Sequence, residues 1–322
     1  MSKVKNIENY SPEKQSVVTI GTFDGVHIGH QKIVNRLIES SQDNDLVSII
    51  LTFFPHPRMV LQKDANIKLL NTISERRVIL DALGLDYLLI KTFSFDFSRL
   101  TAQDFVKDIL VDKLRVKKVI IGYDHRFGRN RNASIDDLKR FGALYHFDVE
   151  EISAQDINAV AVSSTKIRKA LSTGDIVKAN TYLGYRFMIT GTVVRGKALG
   201  RKIEFPTANI KVSEDYKLIP KQGAYIIETL IDKTPVFGMM NIGVNPTVNG
   251  NEQSIEVHFF NFDKDIYDTE IQIHLIDRIR DEHKFESIDA LKEQLFKDKA
   301  YALNFLKNYK IAWKLVRALI NI

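Results

Sequence analysis

From Val17 to about Tyr182, short β-branched or apolar runs alternate with stretches in which apolar positions recur every three to four residues. The runs VVTIGTF, LVSIILTFF, DYLLIK, KKVIIGY and FDVEEI read as strands, and helices are expected over residues 27–39, 74–83, 101–110 and 134–141. Punctuation supports these assignments: Thr101 with Asp104 and Ser134 with Asp137 look like N-caps with an acidic partner, and Gly84 and Gly142 stand where helices should end. Alternating strand and helix predicts a doubly wound parallel sheet, whose ligands gather at the carboxyl ends of its strands.

After Gly184 the pattern changes. RFMITGTVVRG, GAYIIETLI, PVFGMMNIG, SIEVHFFNF and EIQIHLI follow one another without helices between them, joined by turns such as VNGNE and NFDKD. That predicts an antiparallel barrel or sandwich. A helix over about 287–297 follows, then a second helical pattern over 300–320 with Leu306, Tyr309, Trp313, Val316 and Ile320 in one stripe. Packing of that stripe on the barrel or between domains is the expectation, with a membrane surface or a partner as the alternative. The domain boundary is expected at Gly184, giving domains 1–184 and 185–322.

Composition agrees with two ordinary globular domains. The chain has 322 residues, 44% apolar and 27% charged, which excludes wholesale disorder and low-complexity architecture. It has no cysteine, so disulfides, Cys-ligated clusters and a cysteine nucleophile are excluded, and a reducing cytoplasm is the expected setting. The first residues, MSKVKNIENYSPEKQS, lack the apolar run of a signal peptide, and LVSIILTFF is far short of the ~20 residues a membrane helix needs. The formal net charge of +6 suits a phosphate-bearing partner. Lysines and arginines are scattered rather than clustered with aromatics, so small nucleotides fit better than nucleic acid.

The sharpest chemical feature is VVTIGTFDGVHIGHQKIV, a strand, a glycine-bearing turn holding Gly21 and Asp24, and a helix start carrying His27, Gly29 and His30. Two imidazoles and a helix N-terminus then meet at one point, where free N–H groups and the helix dipole attract phosphate. Such donors suit the charge that builds on a nucleoside triphosphate during attack on its α-phosphorus. A metal site is the competing reading, but no third ligand is near in sequence, and HxGH lacks the acid of the zinc-protease HExxH. In the second half, Gly196 and Gly200 give a backbone able to wrap phosphates, with Lys197 and Arg201 supplying charge. Thr207 and Asn209 stand two apart, so in extended chain both oxygens share a side, a pair suited to a hard cation such as Mg2+.

GTFDGVHIGH resembles the signature of HxGH nucleotidylyltransferases. Taken with TFFPHPR, GYDHRFGRNRNAS, VSSTKIRKAL, GTVVRGKALGRKIEFPTANI, MMNIGVNPT and SIEVHFFNF, in that order, the chain resembles the bacterial bifunctional riboflavin kinase and FMN adenylyltransferase, the FAD synthetase family. The resemblance spans roughly Val17 to Asp298. It implies a Rossmann-like nucleotidylyltransferase domain followed by a small antiparallel riboflavin kinase-like β-barrel. It also implies FAD formation from FMN and ATP in the first domain and FMN formation from riboflavin and ATP in the second, with Mg2+. By the same resemblance, His27 and His30 hold ATP phosphates with Gly21, Asp24 and Gly29 in their loop, and Ser164, Thr165 and Arg168 hold further phosphates. Asp124 and Phe127 are implied at the flavin. Gly196, Lys197 and Gly200 are implied at the kinase ATP, Thr207 and Asn209 at the metal, and Glu256 as the base taking the ribityl hydroxyl proton.

The chain departs from the family pattern at several positions. His125 stands where Phe is usual, Ala133, Glu204 and Asp268 where Gly is usual, and Asn245 where Arg is usual. A carboxylate at 204, beside bound phosphates and in place of a flexible glycine, is expected to weaken the kinase. Two alternatives stay open: an FMN adenylyltransferase with a weak or inactive barrel, and a non-catalytic flavin- or nucleic-acid-binding regulator. Whether the chain forms a homo-oligomer is also open.

Overall fold

The computed structural model describes residues 3–62, 67–123, 125–153, 162–196, 200, 203–247 and 250–320. Two compact units are formed, Met1–Lys166 and Ile167–Ile322.

In the first unit, strands β1 (Lys3–Asn6), β2 (Ser16–Ile20), β3 (Val47–Phe54), β4 (Tyr87–Thr92), β5 (Val116–Gly122) and β6 (Asp148–Ile152) make one sheet. Its order is β1-β4-β3-β2-β5-β6 and every pairing is parallel. Successive residues of one strand enter opposite cores. Val18, Ile49 and Ile121 lie in one, and Val17, Ile50 and Ile120 in the other, the latter sharing its core with Ile33, Val34 and Leu37 of the helix Ile28–Asp43. Both faces being covered, the strands read as unbroken apolar runs. Strand order reverses at β2, which has β3 on one side and β5 on the other, so a ligand crevice belongs at its carboxyl end.

The second unit holds β7 (Met188–Val194), β8 (Ala208–Lys211), β9 (Gly223–Ile231), β10 (Thr234–Thr247), β11 (Gly250–Phe259) and β12 (Glu270–Arg280), closed as an antiparallel barrel in the order β10-β11-β8-β7-β12-β9. The helices Ser164–Thr173 and Ile176–Leu183 precede it. Asn180 binds the barrel through its side chain, donating to the Leu275 carbonyl at 2.9 Å and accepting from the Phe187 N–H at 2.7 Å. Gly184 ends the second of these helices in a left-handed conformation, φ 76°.

Several details differ from the sequence reading. The helix Ile135–Tyr145 passes through Gly142 and ends at His146 (φ 63°); Gly142 is required for packing, because a Cβ there would lie 2.6 Å from the Phe147 carbonyl oxygen. The helix begun at Thr101 continues beyond Leu110, as a π-helix over Phe105–Lys113. The two C-terminal helical patterns are one helix, Ile288–Ile320. Asp298 at its middle is buried yet satisfied, accepting from Arg280 Nε at 2.9 Å and Gln294 Nε2 at 2.8 Å, so nothing there breaks the helix. Ala302 and Leu306 pack into the barrel core with Phe205, Ile226 and Met239. Among the described residues, no helix is long and apolar enough to cross a membrane.

Candidate active sites

The first site forms where β2 ends. The Gly21 N–H donates to the Leu51 carbonyl at 3.0 Å, and the chain then turns through Phe23 (φ 46°), Gly25 (φ 88°) and Val26 (φ 32°) before entering the helix. Left-handed Phe and Val are costly, on the order of 1–3 kcal/mol each, and persist only where the surroundings hold them. The holding group is Asp24. Its buried carboxylate accepts from the Leu70 N–H at 2.9 Å and the Asn71 N–H at 3.3 Å and lies 3.7 Å from the equally buried Arg76 guanidinium. The Ser164 hydroxyl donates to the Asp24 carbonyl at 2.8 Å, fastening the start of the helix Ser164–Thr173 to the same loop.

This loop places His27 at the helix N-cap, where its Nδ1 accepts from the His30 N–H at 3.3 Å. The two imidazoles stack, with centroids 3.7 Å apart and planes 14° from parallel. Two cations would repel in that position. Burial draws His27 down to about 4 against the partial opposition of Asp24, and loss of hydration draws the partly buried His30 well below its ordinary value, helped by His27 and Arg76. Both are therefore neutral at pH 7. Each offers an N–H donor without a fixed charge, and His30 Nδ1 has no hydrogen-bond partner among the described residues.

A pH dependence follows. The unfolded chain binds protons to these histidines at their ordinary value, 6.5, whereas the folded unit resists, so stability is present above that value and is lost as pH falls from 6.5 toward 4. His27 alone should cost the first unit about 2 kcal/mol at pH 5 relative to neutrality. Thermal unfolding followed between pH 7 and 5 checks this. His27→Asn, which keeps an N-cap but does not titrate, should flatten the curve; an equally steep fall in that variant would refute the assignment.

The structure brings Gly21, Asp24, His27, Gly29, His30 and Ser164 together, with Thr165 exposed on the same helix start and Arg168 one turn further on. Asp24 is turned to the backbone of residues 70–71 and to Arg76, so its carboxylate acts on the loop's shape. Phe127 is buried against Phe105 (6.0 Å) and His125 (6.1 Å), and its backbone exchanges two hydrogen bonds with Ala133, so the turn closes with Ala at that position. Asp124 lies outside the described residues. Sequence reasoning missed Arg76 and the aromatic series Phe53, Phe93 and Phe97, whose rings lie 5.7–5.9 Å apart at the ends of β3 and β4. For Arg76 a signal existed: it falls on the apolar stripe of the helix Ile73–Leu83, between Ile73 and Leu80, where a charge needs a partner.

The second site lies on the barrel. β8 pairs with β11 so that Asn209 faces Glu256 in register, and the Thr207 hydroxyl donates to Glu256 Oε2 at 3.1 Å. The side chain of Asn209 occupies the place a Cβ on Gly196 would take, 2.1 Å from its Nδ2. A Cβ on Gly200 would meet the Phe205 carbonyl oxygen at 2.2 Å, and the Phe205 N–H donates to the Gly200 carbonyl at 2.9 Å, closing a tight turn ahead of Thr207. Lys197 and Arg201 lie outside the described residues. Hydroxyl, amide and carboxylate oxygens are the donors a hard cation takes, so the set fits Mg2+. Among the described residues no group of three or more His, Asp or Glu could hold a metal ion.

Glu204 differs from expectation in an instructive way. It takes the left-handed conformation that a glycine would take, φ 67°, and its carboxylate reaches Lys292 of the C-terminal helix at 2.6 Å. Asp268, also at a glycine position, has φ 59° and donates its N–H to the Val193 carbonyl at 2.9 Å. The backbone turns are kept. Lys292 also counters the charge expected to repel phosphates. Lys292→Ala should therefore raise the ATP concentration for half-maximal riboflavin phosphorylation about three- to tenfold, and Glu204→Gly added to it should reverse most of that rise. An unchanged ATP requirement in Lys292→Ala would show that the pair has no such effect.

A parallel sheet that presents HxGH at its switch point, followed by a closed barrel carrying a paired Thr, Asn and Glu, defines a nucleotidylyltransferase unit joined to a riboflavin kinase-type unit. The family model for FAD synthetase matches residues 10–166 and that for riboflavin kinase matches residues 183–306. The chain is 37% identical over 308 residues to the bifunctional riboflavin kinase/FMN adenylyltransferase of Escherichia coli K12, covering 95% of this chain and 98% of that protein. With its Bacillus subtilis counterpart it shares 34% over 306 residues, 92% and 95% of the two chains. A crystal structure described as a macrolide-efflux protein from Streptococcus pneumoniae matches with a TM-score of 0.84 at 30% identity, over 94% of this chain and 99% of that one. The chain belongs to the family of bifunctional riboflavin kinase/FMN adenylyltransferases.

Proposed function

We propose that the chain makes FAD from riboflavin in two ATP-dependent steps, phosphorylation to FMN on the barrel and adenylylation of FMN at the HxGH loop. The observation that carries the reading is the contrast in protonation chemistry between the two sites. In adenylyl transfer the FMN phosphate oxygen attacks the α-phosphorus, the bond to the bridging oxygen breaks, and pyrophosphate leaves. The nucleophile is already an anion, so the site needs oriented donors rather than a base. Neutral His27 and His30 at a helix N-terminus supply such donors, and Asp24 with Arg76 and Ser164 hold the loop that aims them. The aromatic rings of Phe53, Phe93 and Phe97 at the ends of β3 and β4 offer flat apolar faces for a flavin ring.

The kinase step is different. The ribityl hydroxyl must lose a proton as it attacks the γ-phosphorus, and Glu256 is the carboxylate placed to accept it, held by the Thr207 hydroxyl. Thr207 and Asn209 would hold Mg2+, which when bound neutralises charge on the transferring phosphates. Residues 1–184 are assigned to adenylyl transfer and 185–322 to the kinase barrel with its C-terminal helix. The reading is tested by incubating purified protein with ATP and Mg2+ and either riboflavin or FMN, and separating the flavins by chromatography. FMN and FAD from riboflavin, and FAD from FMN, are expected. Formation of FAD from FMN alone would leave the barrel without its proposed activity, and no product from either would refute the reading.

A further inference from the structure

From Glu204 to Pro206 the chain is tied to its surroundings one residue at a time. Glu204 reaches Lys292, and the Phe205 ring stands edge-on against Phe296 at 5.0 Å with Lys299 5.7 Å above it. Lys292, Phe296 and Lys299 share one face of the C-terminal helix at spacings of four and three residues. The next residue, Pro206, is tied by another group. Its carbonyl oxygen lies 3.0 Å from Nδ1 of His258.

We propose that His258 is a positioning residue for phosphoryl transfer, its Nδ1–H fixing the Pro206–Thr207 peptide and through it the Thr207 hydroxyl on Glu256. The argument is geometric. A carbonyl oxygen only accepts, so the ring must donate, and the neutral imidazole is the Nδ1–H tautomer. Nε2 is then bare, and it is buried without a partner. Phe205, tilted at 5.1 Å, and Phe260, edge-on at 5.9 Å, pack against the ring and set its plane. Glu256 and His258 are two apart on β11, so their side chains leave the same face of the strand toward the same peptide segment. One strand thus supplies both the proposed base and the group that orients the hydroxyl bonded to it. A peptide plane is rigid, so holding the Pro206 oxygen also sets the direction of the Thr207 N–H and Cα. Burial lowers the affinity of His258 for a proton against the opposing pull of the Pro206 carbonyl, which leaves Nε2 bare and the proton on Nδ1. The strand itself is held close by Gly238 of β10, where a Cβ would meet the His258 carbonyl oxygen at 2.5 Å.

The inference rests on the kinase reading of the barrel, and the experiment separates the two. Full-length wild type, His258→Asn and His258→Leu are compared. Asn places an amide N–H where the ring carries Nδ1–H, whereas Leu offers no donor. His258→Leu should lower kcat for riboflavin phosphorylation about tenfold or more and leave the riboflavin KM within about twofold, and His258→Asn should recover kcat to within about threefold of wild type. FAD formation from FMN, measured in the same preparations, should be unchanged. An equal loss in both variants would make the role one of packing alone and overturn the proposal, as would full activity of His258→Leu. A readout independent of turnover is the ¹⁵N spectrum of histidine-labelled protein: His258 should show the Nδ1–H tautomer, and an Nε2–H tautomer would overturn the proposal. Absence of phosphorylation in the wild type would refute the kinase reading, while the tautomer would still report on the His258 bond.

Discussion

Replacing His27 or His30 with alanine should slow FAD formation from FMN and ATP by on the order of 10²–10³, the loss typical of removing one preorganised donor. The reason lies in the state of the two rings. Stacked, with His27 buried and His30 partly so, both are neutral, so neither attracts ATP by charge before it binds. On the proposed reading their N–H groups act where negative charge concentrates as pyrophosphate departs, so the loss should appear mainly in kcat. Because His27 is also an N-cap, its alanine variant should be less stable, and circular dichroism must show it folded before the rate is read. Riboflavin phosphorylation in the same preparations is the internal control and should be unchanged. Undiminished FAD formation in the double variant would remove these residues from the chemistry.

How much of this was legible in the sequence depended on how far each feature's causes lie along the chain. The central strands announced themselves because both faces are buried, and the HxGH turn because its glycines and histidines are adjacent. β1 stayed hidden. Its residues, KVKN, are largely exposed, and it is held by main-chain pairing to β4 and by Lys3 and Lys5 over the Tyr87 ring. β8, four residues with Ile210 alone buried, is absent from the runs read as strands for the same reason. Asp298, buried inside the unbroken C-terminal helix, is met by Arg280, eighteen residues before it. Gly142 was read through local cap rules, when the reason for a glycine there is the approach of the Phe147 carbonyl.

The candidate sites divide in the same way. Spacing within one segment exposed His27 with His30 and Thr207 with Asn209. The partners that hold them come from elsewhere: Leu70, Asn71 and Arg76 for Asp24, Lys292 for Glu204, and His258 for Pro206. Glu204 shows the consequence. Taken by itself it is a negative charge in a phosphate loop, but its charge is countered from a helix some ninety residues away, with 88 positions separating it from Lys292. A carboxylate at a glycine position is thus compatible with a working loop, at the cost of a left-handed residue worth about 1 kcal/mol.

Glu256→Gln should abolish most riboflavin phosphorylation, lowering kcat by about 10²–10⁴, the range general base catalysis contributes. Glutamine keeps the shape of the side chain and an oxygen that still accepts from the Thr207 hydroxyl, so the pairing of β8 with β11 should survive. What is lost is the capacity to take a proton at the moment the ribityl oxygen attacks the γ-phosphorus. The substitution also removes a negative charge beside the nucleotide phosphates, which by itself favours ATP binding. The two effects therefore separate in the kinetics: kcat should fall steeply while the KM for ATP stays the same or decreases. A rise in the KM for ATP with little change in kcat would mean that Glu256 serves nucleotide or metal binding and that another group takes the proton. FAD formation from added FMN should continue at the wild-type rate, because the phosphate site proposed for adenylyl transfer is the HxGH turn of the first unit. Supplied with riboflavin alone, the variant should accumulate neither FMN nor FAD, and FMN added to the same reaction should restore FAD.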